Sequence, residues 1–184
     1  ELADLATESG RPEDVLHAWR VLLAALPPAH PAASRARLEV VRTLVATGDV
    51  QGALRLCNQA IGAAPAGTER FGAQLVCAET QEQAGHLQTA LQEFHALRTD
   101  PQIAEDLWVD AVLGAARILN QQGEPNEATA VIDEGLARTV TPANQLPLVS
   151  MQLMTWVAQG DLWAVRHATS KLIELSNSNP ELGA

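Results

Sequence analysis

Gly48-Asp49-Val50-Gln51-Gly52-Ala53, followed by Cys57, Ala60 and Pro65, is the stretch from which the rest of the chain can be read. A glycine is followed by a polar residue, and a small or aliphatic residue stands five positions after the glycine. The pattern starts at Gly10, Gly48, Gly85, Gly123 and Gly160, spaced 38, 37, 38 and 37 residues apart. Self-similarity at a fixed period of roughly 20–50 residues is the mark of a stacked repeat.

The segments between these glycines carry apolar residues at helical spacing. Val15, Leu16, Trp19, Leu22, Leu23 and Leu26 form one stripe. Leu38, Val41, Leu44 and Val45 precede Gly48, and Ala53, Leu54, Cys57 and Ile61 follow it. Leu75, Val76 and Ala78 lead to Gly85, with Leu87, Ala90, Leu91, Phe94 and Leu97 returning. Ile103 to Leu119, then Ala128 to Leu136, make the next pair; Leu146 to Val157 and Leu162 to Leu175 make the last, before a polar tail from Ser176. Ahead of Gly10, Leu2, Leu5 and Ala6 read as a truncated first helix. Arg11-Pro12-Glu13-Asp14 is a helix start, with proline and acids where the first turn favours them. Thr68, Asp100-Pro101 and Thr141-Pro142 read as further starts with a capping side chain. The second hairpin is expected from about Ala33.

Each unit is then a helix, a tight turn and an antiparallel helix. Glycine at the turn can adopt the left-handed conformation without a Cβ clash. The small residue five positions on lets the two helices touch, and a larger group four residues later fills the space under the next hairpin. One hairpin cannot bury both its faces, so stacking supplies the core. The expected units are approximately 1–30, 31–67, 68–99, 100–140 and 141–180, in a single domain that belongs to a longer or processed protein.

These residues resemble the tetratricopeptide (TPR) family, whose signature has Ala, then Phe four residues later, then Pro near the end of the unit. Ala90 and Phe94 match; Ala53, Cys57, Ala60 and Pro65 match with Cys in place of Phe; Ala128 and Ile132 follow. Val15, Trp19 and Pro27 match more loosely, and Val165 with Thr169 most loosely. The Trp, Leu-Gly and Tyr of the family's first helix are absent from their places. The resemblance implies an all-α, right-handed superhelix of about five TPR-like antiparallel hairpins. The period exceeds the roughly 34 residues of the standard unit. In this it looks like the arrays of LuxR-type ATP-dependent transcriptional regulators.

In such an array the first helix of each unit lines the concave surface, where partners bind. The groove positions are then Arg35, Leu38 and Arg42, with Leu75, Glu79 and Glu82 from the next unit. Asp110, Leu113, Arg117 and Asn120 follow, then Ser150, Met154 and Val157. Arg42 and Arg117 suit a carboxylate or phosphate through a planar fork, and the alternative is that neighbouring carboxylates already pair with them. Trp19 is expected in the core. Trp108 and Trp163 stand near helix starts as candidate interface anchors, and Trp156 faces either groove or core.

Composition excludes several classes. The net charge of −10 repels phosphate backbones and anionic membranes, so direct nucleic-acid binding is not expected. No apolar run approaches the roughly 18 residues of a membrane span, and no signal peptide is read at Glu1, which points to the cytoplasm. Cys57 and Cys77 fall at apolar helical positions and read as reduced core thiols. The histidines His17, His30, His86, His95 and His167 have no ligand spacing for a metal. No phosphate loop or nucleophile elbow occurs, so neither catalysis nor a cofactor is expected. The function implied is a binding scaffold for a protein or peptide. The alternative is an effector-sensing segment of a larger LuxR-type regulator that responds to a small effector or protein. Self-assembly as a homodimer through the chain ends is a third reading.

Overall fold

The structure, a computed structural model, describes residues 11–27 and 30–178. The expected helix over Leu2, Leu5 and Ala6 and the turn at Gly10 lie outside the described residues. Within them the chain is helical: α1 (Pro12–Ala25), α2 (Pro31–Ala46), α3 (Val50–Ala63), α4 (Thr68–Gln83), α5 (Leu87–Thr99), α6 (Glu105–Gln122), α7 (Pro125–Arg138), α8 (Pro142–Gln159) and α9 (Leu162–Ser178).

Four turns share one geometry. Gly48, Gly85, Gly123 and Gly160 have φ of 85°, 78°, 78° and 73°. At each, the glycine N–H and the next residue's N–H bond back into the helix that is ending. Gly48 N donates to Val45 O and Asp49 N to Leu44 O, at 3.0 and 2.9 Å. Gly85 and His86 repeat this onto Glu82 and Gln81, Gly123 and Glu124 onto Asn120 and Leu119, and Gly160 and Asp161 onto Val157 and Trp156. The crossed pair is a Schellman motif, which satisfies the carbonyls that a helix end leaves open. Asp49 and Asp161 then cap the next helix, accepting from Gly52 N at 2.8 Å and Ala164 N at 3.0 Å.

The frame set by these turns decides what is buried. Five residues after the glycine, Ala53, Ala90 and Ala128 are buried; nine residues after it, so are Cys57, Phe94 and Ile132. The chain divides into two compact units, residues 1–93 and 94–184. In the first, α1 packs on α2, α2 on α3, α3 on α4, and α2 also on α4. Its core joins Val40, Val41 and Leu44 of α2 to Ala53 and Cys57 of α3 and to Val76 and Cys77 of α4, with Trp19 of α1 half-buried against them. In the second, α6 packs on α7, α7 on α8, α8 on α9, and α6 also on α8. There Phe94 lies against Gly114, so closely that a methyl group at Gly114 would overlap the ring.

Several sequence expectations shift. Thr68 is the first helical residue rather than the cap; Gly67, at φ 94°, precedes it and Thr68 makes no capping bond. Asp100 caps a turn instead of a helix, accepting from Gln102 N at 2.8 Å. Consequently α6 begins at Glu105. Thr141 also lacks a capping bond, although Pro142 opens α8 as expected. The second hairpin begins at Pro31, with His30 Nδ1 accepting from Ala32 N at 3.1 Å. The helix α9 runs on through Ser176 to Ser178.

The two cysteines meet in the first core. Cys57 and Cys77 are both free and buried. Their mutual hydrogen bond, then burial, push the Cys77 thiol well up, so it stays protonated. Glu93 of α5 acts on both thiols electrostatically, and burial pushes its own carboxyl up. Its Oε2 is buried without a partner.

Three outcomes follow. Gly123→Ala forces a left-handed alanine and is expected to cost about 1–2 kcal/mol, read as a lower urea midpoint. Gly114→Ala over-packs the Phe94 contact and is expected to cost about 1–3 kcal/mol. Glu93 holds its proton in the folded chain at pH values where the unfolded chain, with a carboxyl near 4.3, has released it. Stability therefore falls as pH rises above that unfolded value. Glu93→Gln is expected to flatten this decline in urea titrations from pH 4 to 8; an unchanged slope would contradict the assignment.

Candidate binding site

In the first unit, α2 and α4 frame a cavity of about 580 Å³. From α2 it is lined by Ala32, Ser34, Arg35, Leu38, Glu39 and Arg42, and from α4 by Glu69 and Gly72. Its origin is local. Arg35 and Arg42 are seven residues apart, two helical turns, so they share one face with Leu38 between them. Ala33, Ala36 and Val40 take the opposite, buried side of α2. Ser34 sits at the floor, with its Oγ donating to Ala63 O at 3.0 Å. Gly72 has no neighbour within 4 Å of where its Cβ would stand, which leaves that wall open.

The charges are partly balanced. Arg42 Nη1 lies 2.7 Å from Glu39 Oε1, with the arginine side chain 56% exposed. An exposed pair of this kind contributes about 0–1 kcal/mol, so an incoming carboxylate can compete for it. Arg35 is exposed and has no ion pair among the described residues. Glu69 stands in the first turn of α4, where the helix dipole favours it.

Of the expected groove residues, the structure thus brings Arg35, Leu38 and Arg42 together. Glu79 is exposed and Glu82 half-buried, both further along α4, and neither lines the cavity. Leu75 is buried in the core, not presented to the groove. The sequence reading missed Glu39, Glu69 and Gly72. The signal for the last two was the run Thr68-Glu69-Arg70-Phe71-Gly72, with a glycine inside the first turns of a helix.

In the second unit the expected residues lie on α6 and α8. Asp110 and Arg117 are exposed on α6. Although the residue is exposed as a whole, partial desolvation of its carboxyl, then the nearby Asp106, push Asp110 above its ordinary range. Asn120 is half-buried and ties the two helices together: its Nδ2 donates to Thr155 Oγ1 at 2.8 Å. Its side-chain N–H is thus engaged between α6 and α8. Ser150 returns its hydroxyl to Leu146 O. Met154 is exposed, as is Val157.

The tryptophans separate clearly. Trp108 is fully buried, against the expectation of an interface anchor. Because α6 starts at Glu105, Trp108 falls in its first turn and points inward. Its Nε1 donates to Arg98 O at 2.9 Å, and the Arg138 guanidinium sits 4.3 Å over the ring. Arg98 in turn pairs with Glu134. Trp163 is 79% exposed and stacks on His167, with ring centroids 6.0 Å apart. Trp156 is half-buried. The described residues contain no grouping of three or more His, Cys, Asp or Glu that could hold a metal. Nor is any of their helices long and apolar enough to cross a membrane.

Solved structures resemble this arrangement over nearly its whole length. A putative kinesin light chain of Podosopora anserina with nearly identical TPR-like repeats superposes with a TM-score of 0.75 at 17% identity, covering 98% of this chain and 93% of that one. The chain has a TPR-like helical repeat fold. MamA matches with a TM-score of 0.68 at 12% identity, covering 98% of both chains. YrrB, described as a TPR protein with an unusual peptide-binding site, matches with a TM-score of 0.58 at 13% identity, covering 98% of this chain and 86% of that one. No protein-family model matches the chain, and no curated protein matches it.

Glu105 offers a check on the second unit. Its carboxylate accepts from Asn144 Nδ2 at 3.2 Å and from Thr141 N at 3.3 Å, which hold it below its ordinary range. That contribution is present above the unfolded-chain value and fades as pH falls through the folded one. Glu105→Gln is expected to lessen the loss of stability on acidification below about pH 4.3, measured by urea midpoints.

Proposed function

We propose that this chain is a peptide- or protein-binding scaffold, and that the α2–α4 cavity takes an extended segment bearing two carboxylates. One observation carries the reading: Arg35, Leu38 and Arg42 share an open cavity with a small-residue wall at Gly72. Seven helical residues place the two arginines about 10 Å apart along the axis. A peptide in the polyproline II conformation advances about 3.1 Å per residue and returns the same face every third residue. Acidic side chains three residues apart therefore match the spacing on one face, with an aliphatic residue between them beside Leu38. The likeness in fold to YrrB, described as having an unusual peptide-binding site, is in keeping with this reading.

The binding is by preorganisation. The helix fixes both guanidinium groups on one face before the ligand arrives, which lowers the ordering cost of association. Each arginine can grip a carboxylate through two parallel bonds. The incoming carboxylate at Arg42 displaces Glu39 from its exposed pair. Nothing in these comparisons points to the LuxR-type regulator.

The test uses fluorescein-labelled peptides of the form acidic-x-x-acidic with Val or Leu between, against the same peptides with Gln for Glu. Fluorescence polarisation is expected to show binding of the acidic form that weakens as salt is raised. Arg35→Glu with Arg42→Glu is expected to weaken it at least tenfold, with an unchanged urea midpoint. Equal binding of acidic and Gln peptides, or full affinity in the double variant, would overturn the reading.

A further inference from the structure

Nine places after their turn glycines, α5 and α7 bury the bulky side chains of Phe94 and Ile132. At the same place α3 buries Cys57. Eight places before the next turn glycine, α2, α6 and α8 bury Val40, Ala115 and Gln152, and α4 buries Cys77. Two positions that the other repeats fill with unreactive side chains thus both hold a thiol in the first unit. Packing alone does not require sulfur at either place.

The two sulfurs are also neighbours. They belong to one core cluster with Val40, Val41, Leu44, Ala53 and Val76. Both are free thiols, and a hydrogen bond joins them between α3 and α4. The hydroxyl of the buried Thr80 is a second group beside Cys57. The bond with Cys77 holds the Cys57 thiol below its ordinary range, against the burial that raises it. The same bond, then burial, raises Cys77. Cys57 is therefore the sulfur that ionises first, and the thiolate is the form that attacks.

From this we infer that Cys57 and Cys77 are a modification site, a dithiol that hydrogen peroxide oxidises to a disulfide between α3 and α4. The Cys57 sulfur attacks one oxygen of the peroxide. The O–O bond breaks, a sulfenic acid forms on Cys57, and the second oxygen leaves as water with the thiol proton. The Cys77 sulfur then attacks the Cys57 sulfur. The S–S bond forms, the S–O bond breaks, and hydroxide leaves as a second water with the proton of Cys77. The two thiols together lose one electron pair, and the peroxide accepts it. Cys57 and Cys77 are 5% and 3% exposed, so the oxidant has to be as small as peroxide. The bond closes a loop over residues 57–77, ties the second hairpin to the third and restricts the unfolded chain. The site does not depend on ligand binding in the α2–α4 cavity.

The test treats the folded chain with hydrogen peroxide, unfolds it, alkylates it and reads the intact mass. The expected product has lost two hydrogens, takes up no alkyl group and yields one cross-linked peptide pair holding Cys57 and Cys77. Dithiothreitol is expected to restore both alkylatable thiols. The urea midpoint of the oxidised chain is expected to lie above that of the reduced chain. Cys77→Ser is expected to leave the sulfenic acid trapped on Cys57, labelled by dimedone, whereas Cys57→Ser is expected to give no labelling. Far-UV circular dichroism checks that both variants are folded. Two thiols still alkylatable after peroxide would overturn the inference. So would oxygen added to either sulfur without a cross-link, a disulfide between two copies of the chain, or a lowered urea midpoint. Dimedone labelling in Cys57→Ser instead of Cys77→Ser would overturn the assignment of Cys57 as the attacking sulfur.

Discussion

The crossed pair of backbone hydrogen bonds at Gly48, Gly85, Gly123 and Gly160 is the constraint on which the rest depends. It ends one helix in a left-handed residue and aims the chain back antiparallel. Since all four turns are alike, every following helix starts in the same phase. Residues five and nine places on are therefore buried after three of the four turns, which is why Ala90 and Phe94 behave like Ala128 and Ile132; after Gly160, Val165 is half-buried and Thr169 exposed. A side chain other than glycine would strain each turn, and the loss would be felt in the phase of the helix beyond it.

Packing then acts on this frame. Phe94 needs the missing Cβ of Gly114, so a large residue in one hairpin is matched by the smallest residue on the next helix. Where the large site is filled by Cys57 instead, the partner is Cys77, and the core accommodates two thiols close to the carboxyl of Glu93. The exposed faces are freed from packing and carry charge. On α2 that freedom puts two arginines on one side of an acidic molecule, opposite a wall opened by Gly72. Function, on this account, is what the repeat leaves unburied.

Much of this was legible in the sequence, because a glycine period survives in one chain without any alignment. The paired helices, the four described turns and the buried Ala and Phe positions follow from it directly. The helix at Thr68 starts where the sequence places it, with Gly67 rather than Thr68 as the cap; the start at Asp100 was misread, since an acid followed by proline also suits a turn. Asp100 bonds to Gln102 N there, and α6 begins later. That displacement also turned Trp108 from an expected surface anchor into a buried ring. Arg35, Leu38 and Arg42 were visible as one face, since that depends only on helical spacing. Glu69 and Gly72 were not, because the register between α2 and α4 is set by core packing between separate repeats. Asn120 looked like a groove hook, but Thr155 lies within its reach, and no single sequence displays that pairing.

The most direct measurement is a two-dimensional nitrogen–proton NMR titration of the chain with an acidic-x-x-acidic peptide, following backbone amides and arginine side-chain Nε–H signals together. The account predicts shifts confined to α2 and the first turns of α4, with the Nε–H signals of Arg35 and Arg42 moving along one binding curve. Shifts concentrated on α6 to α9, or moving amides with both arginine signals fixed, would contradict it.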